Sequence, residues 1–218
     1  MRRWNTLFIN NLRFVSSYNI MLSAVIMLLG LLIFEIKGIT PSTYVRMCEY
    51  LTLFVGPISL IPIADYECGN NIWELVYTRQ QSFLPIYIMR ILIVCIEDAV
   101  ILIVPYLVSV MGRAENTERH YYWGKLITVI WFGMIGTFIT EALGSKQVAF
   151  CILIIYYLFE SLTKGKITGD WQLMGYSNNC SVSKMFLLFT TLLLSVFTIS
   201  LKHLKVRGIY DNRDRSAQ

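Results

Sequence analysis

Two acids stand side by side where almost nothing else is charged: Glu97 and Asp98 interrupt the otherwise apolar stretch Ile91–Val104. An ionised acid at the centre of a bilayer costs about 2.5–3.5 kcal/mol on insertion scales. Two neighbours also repel, so at least one must be neutralised or paired. Acids in such places face a bundle interior or a wet cavity. Two readings follow. The pair lines a translocation path and favours a cationic or amphipathic cargo, or it is a structural pair hydrogen-bonded to another helix. A second chemically rich stretch is Asp65-Tyr66-Glu67-Cys68-Gly69-Asn70-Asn71-Ile72-Trp73-Glu74-Leu75-Val76-Tyr77-Thr78-Arg79. Gly69 permits a sharp turn. Asn71 can cap a following helix, with Glu74 placed to reach back. Ile72, Leu75 and Val76 then share one face, flanked by Trp73 and Tyr77. Such a helix docks another protein or lipid, or else packs only on its own neighbours.

Other chemistry is thin. No GxxxxGK[ST] phosphate loop occurs, so the chain is not expected to hydrolyse ATP by that route. His120 and His203 are far apart without ligand-spaced neighbours, no HExxH pair occurs, and no metal site or cofactor of its own is expected. Gly56-Pro57-Ile58-Ser59 lacks the spacing of an intramembrane serine hydrolase, and neither histidine lies in an apolar run. An enzyme is therefore not the expectation. Cys48, Cys68, Cys95, Cys151 and Cys180 form no CxxC pair; Cys95 and Cys151 fall in apolar runs, where a thiol packs as a small hydrophobe. Whether Cys48 and Cys180 meet is open.

The elements that must hold these residues are apolar helices. Of 218 residues 56% are apolar and 15% charged, with a mean hydropathy of +0.56. At roughly 20 residues per crossing, about 120 apolar residues supply six spans. Runs of that kind are Tyr18–Ile36, Val45–Ala64, Leu84–Val110, Leu126–Leu143, Gln147–Thr163 and Met185–Leu201. The third is long enough to tilt, kink or project, and Pro105 offers a kink. The charge of +5 reads as lipid anchoring rather than nucleic-acid binding. Arg2, Arg3 and Arg13 at one end and Lys202, Lys205, Arg207, Arg213 and Arg215 at the other put both termini in the cytoplasm. The run from Tyr18 is too long for a signal core, and no small-x-small cleavage site follows it.

Residues 1–17 place Trp4, Leu7, Phe8, Leu12 and Val15 on one helical face, as in a helix lying in the headgroup plane. A plain extension of the first span is the alternative. Glu35, Glu49, Glu141 and Glu160 near span ends read mainly as solvated anchors. Gly133 and Gly136 read as a close helix contact. The expected architecture is thus an all-α polytopic membrane protein: an interfacial helix at 1–17, a six-span domain at 18–201 and a basic cytoplasmic tail at 202–218.

On these residues the chain resembles the ABC-2 type permeases, membrane subunits of type V ABC exporters. Glu67, Gly69, Glu74-Leu75 and the basic Arg90 in the third span match the family's coupling region, and the order of elements matches around it. Thr78-Arg79-Gln80-Gln81 stands where the family commonly has a proline after the coupling helix. The resemblance implies a coupling helix at about 70–79, with Glu67, Gly69, Ile72, Trp73, Glu74 and Leu75 as the ATPase-coupling residues. It also implies a small outer cap at about 164–184. The implied function is the permease half of an ATP-driven exporter in a cell membrane, a bacterial cytoplasmic membrane by this reading. ATP and Mg would sit on a separate ABC ATPase subunit, and a second permease chain, identical or not, would complete the path. Amphipathic peptides, antimicrobial ones included, are the implied cargo. Lipid, glycan or drug cargo, or a non-transporting scaffold or sensor subunit, remain the alternatives.

Overall fold

A computed structural model describes residues 21–30, 32, 52–69, 83–111, 119–163 and 181–216. Apart from Gly144 and Ser145 these residues are all helical, with no strand among them. In chain order the helices are α1 (Met21–Gly30), α2 (Val55–Gly69, entered through the 3-10 turn Thr52–Phe54), α3 (Phe83–Met111), α4 (Arg119–Leu143), α5 (Lys146–Thr163) and α6 (Ser181–Ser216). Within them Tyr122–Leu143, Lys146–Thr163 and Lys184–Lys205 are long and apolar enough to cross a membrane. The interfacial helix, Ile72, Trp73, Glu74, Leu75, most of the outer cap, Cys48 and Cys180 lie outside the described residues.

Helix α4 is the centre of the bundle. It touches α2, α3, α5 and α6, and 61% of its spanning window is buried, against 17% for α5 and 22% for α6. Its sequence explains the role. Gly133 and Gly136 remove side chains where α2 crosses, so Leu60 and Ile61 drop onto the α4 backbone. Gly56 of α2 is equally constrained, because a Cβ there would stand 2.0 Å from the Val129 carbonyl oxygen. The buried Thr128, Thr137 and Thr140 donate to the carbonyls of Gly124, Gly133 and Gly136 at 2.8–2.9 Å, which satisfies their hydroxyls inside the helix. Trp131 and Phe132 fill the other flank, packing with Leu53, Ile61, Ala149, Leu153 and Leu187.

Helix directions follow from these pairings. Gly56 meets Val129 while Leu60 meets Gly133, so α2 runs parallel to α4. Tyr122 donates to the Ala99 carbonyl at 2.8 Å and Tyr87 reaches Glu141, so α3 runs antiparallel to α4. Lys184 donates to Thr128 at 3.0 Å and Lys202 meets Glu141, so α6 runs parallel to α4. A tight turn reverses the chain into α5. Gly144 adopts φ 72°, a left-handed value that glycine takes without steric cost, and its N–H caps the Thr140 carbonyl at 2.8 Å. Ser145 then accepts from the Val148 N–H at 3.5 Å at the start of α5. The end of α2, the start of α3, the α4–α5 turn and the late part of α6 therefore gather at one end of the bundle.

Three expectations need correction. The segment from Asp65 to Gly69, read as loop, is helical and belongs to α2, which is described as far as Gly69. Lys202 and Lys205, read as tail, belong to α6, which continues without a break to Ser216. Glu141 and Glu160, read mainly as solvated anchors, are 1% and 0% exposed, and Glu141 meets Lys202 and Tyr87 of neighbouring helices. Helix α3 runs through Pro105 as a single 29-residue element, about 43 Å long at 1.5 Å per residue.

Candidate functional site

The adjacent acids part company in the fold. Successive helical residues point about 100° apart, so one of two neighbours can face inward while the other does not. Asp98 is the inward one, 0% exposed, while Glu97 is only half-buried. Glu97 borders an exposed apolar stripe of α3 formed by Leu92, Ile96, Val100, Val104 and Leu107. Asp98 Oδ2 accepts from the Ser59 hydroxyl of α2 at 2.8 Å. The same hydroxyl oxygen lies 2.9 Å from the Gly56 carbonyl oxygen. Asp98 Oδ1 has no hydrogen-bond partner among the described residues. Among the described residues, neither Glu97 nor Asp98 pairs with a basic side chain.

A second polar centre lies at the end of the bundle where α2 stops and α3 begins. Lys202 of α6 forms an ion pair with Glu141 of α4 at 2.8 Å, both side chains almost wholly buried. The Tyr87 hydroxyl of α3 donates to the same carboxylate oxygen at 3.5 Å, and the Lys202 ammonium sits 5.6 Å from the centre of the Tyr87 ring. Lys205 donates to the main-chain carbonyl of Glu141, one of the last carbonyls of α4, where a cation also complements the helix dipole. Three helices are tied at this point.

Of the expected coupling residues, Glu67 and Gly69 belong to α2. Ile72, Trp73, Glu74 and Leu75 belong to the connection from α2 to α3, outside the described residues, and that connection leaves from the end that carries the Glu141–Lys202 pair. Ser59, Tyr87, Glu141 and Lys202 were missed as site residues. Glu141 and Lys202 were visible as isolated charges at the ends of apolar runs, a signal that reads equally well as anchoring. Gly133 and Gly136 do form the close contact expected of them. Comparison with family models, curated proteins and solved structures finds no match.

Proposed function

We propose that the chain is the transmembrane permease subunit of an ATP-driven ABC exporter, with six spans, both termini cytoplasmic, and a separate ATPase docked on the 70–79 segment. The observation that carries this reading is the three-helix junction of Tyr87, Glu141 and Lys202. Tyr87 stands early in α3, eight residues after the segment assigned to docking, and its hydroxyl and ring touch the ion pair that joins α4 to α6. A push on the 70–79 segment thus has a short polar path into the bundle. Helix α3, 29 residues long and apolar apart from Arg90, Glu97 and Asp98, is long enough to be a fourth span beside the three that meet the length and composition requirement. Broad apolar faces on α3, α5 and α6 suit lipid or a second permease chain. Glu97, on the border of such a face, is the acid placed to meet cationic or amphipathic cargo.

Co-expression with a neighbouring ABC ATPase tests the reading. The two subunits should co-purify, and ATPase activity in nanodiscs should depend on Trp73 and Glu74. Equal ATPase binding after scrambling residues 70–79 would overturn the docking assignment. A complex that never moves a peptide, lipid or drug across liposomes would favour the scaffold reading.

A further inference from the structure

We infer that Asp98, Ser59 and the Gly56 carbonyl form a binding site for a single sodium ion between α2 and α3. An ionised Asp98 leaves this centre short of protons. The Ser59 hydroxyl has one hydrogen, yet its oxygen lies 2.8 Å from Asp98 Oδ2 and 2.9 Å from the Gly56 oxygen, both of them acceptors. With Asp98 ionised, one of the two contacts sets oxygen against oxygen with no proton between them, and only a proton or a cation at the carboxylate relieves this. Asp98 Oδ1 adds a further acceptor, buried and without a hydrogen-bond partner among the described residues.

The backbone adds more. Pro62 has no N–H to offer the Ile58 carbonyl, and Pro105 has none for the Ile101 carbonyl. Each proline thus deprives a carbonyl next to Ser59, or one turn from Asp98, of its usual helical donor. Carbonyl oxygens without a helical donor are further hard acceptors, the donor type that coordinates sodium in transporters.

Met27 of α1 belongs to the same buried cluster as Val55, Ile101 and Leu102 of α2 and α3. Ser23, one turn before Met27, has a fully buried hydroxyl with no hydrogen-bond partner among the described residues.

Charge and donor type select the ion. The centre holds hard oxygen donors and one fully buried carboxylate with no basic partner among the described residues, which matches one positive charge. Divalent sites of the calcium kind draw on several carboxylates. The site is independent of whether an ATPase docks on this chain.

The test uses the full chain, purified in detergent, with 22Na+ binding and thermal unfolding in NaCl against choline chloride at equal ionic strength. One sodium per chain should bind saturably. The melting temperature should rise by about 5 °C or more once sodium exceeds its Kd about 100-fold. Asp98→Asn should abolish both responses while still eluting as a monodisperse species. Ser59→Ala, which keeps the carboxylate, should weaken binding by about 10-fold or more, and Glu97→Gln should leave it within about 3-fold. Absence of saturable binding, binding unaffected by Asp98→Asn and Ser59→Ala, or a site that responds to pH but not to sodium would each overturn the inference.

Discussion

Two buried carboxylates in this bundle are treated in opposite ways. Glu141 is met by an ammonium group at 2.8 Å and by a tyrosine hydroxyl, whereas Asp98 is met by one serine hydroxyl. The first arrangement balances charge and ties α3, α4 and α6 in a fixed register, although Glu141 Oε2 has no hydrogen-bond partner among the described residues. The second leaves a negative group and spare acceptor oxygens between α2 and α3. Burial by itself therefore does not define a role. What faces the carboxylate decides whether it is a joint or a binding position.

The comparison can be broken by experiment. The largest effect belongs to Lys202→Met, which leaves Glu141 buried and unpaired and should cost about 3–5 kcal/mol of stability. The double variant Glu141→Leu with Lys202→Met should recover to within about 1 kcal/mol of the parent, because an apolar pair of similar volume needs no desolvation. Reversible unfolding in mixed micelles measures both. If the double variant were as unstable as the single one, the ion pair would not be the interaction at stake.

Ser59→Ala comes next. It removes the donor to Asp98 and should destabilise by about 1–3 kcal/mol, the range for leaving a buried acceptor unsatisfied. Asp98→Asn tests the contrast most directly. It deletes a charge that has no basic partner among the described residues, so in sodium-free buffer stability should stay within about 1 kcal/mol of the parent, unlike Lys202→Met. A loss comparable to that of Lys202→Met would show that Asp98 is paired after all. The smallest effect is expected from Tyr87→Phe. At 3.5 Å its hydrogen bond is long, and interhelical bonds in membranes average about 0.6 kcal/mol, so the loss should be about 0.5 kcal/mol. Since Phe keeps the ring beside Lys202, any larger fall in stimulated ATPase activity would assign the hydroxyl to coupling rather than to folding.

The glycines of α4 were legible in the sequence because a span tolerates Gly mainly where another helix comes close, and Leu60 and Ile61 do come close. The end of α2 was less legible. Asp65, Tyr66 and Glu67 look like loop by polarity, but nothing there breaks a helix before Gly69. Lys202 was read as the start of the basic tail for a similar reason. A lysine at the edge of an apolar run satisfies either water or a partner, and the partner is 61 residues away along the chain.

From residue order alone follow the all-helical class, the positions of the apolar helices and the presence of an acidic pair inside one of them. Those are local properties: hydrophobic run length, absence of breakers, and the cost of charge in an apolar setting. Only the packed bundle determined that Asp98 turns inward while Glu97 stays at the border, that Ser59 answers Asp98, and that Lys202 answers Glu141. Such facts depend on the rotational phase of each helix and on contacts between distant segments, and phase is fixed by how whole faces interlock rather than by any short stretch of sequence.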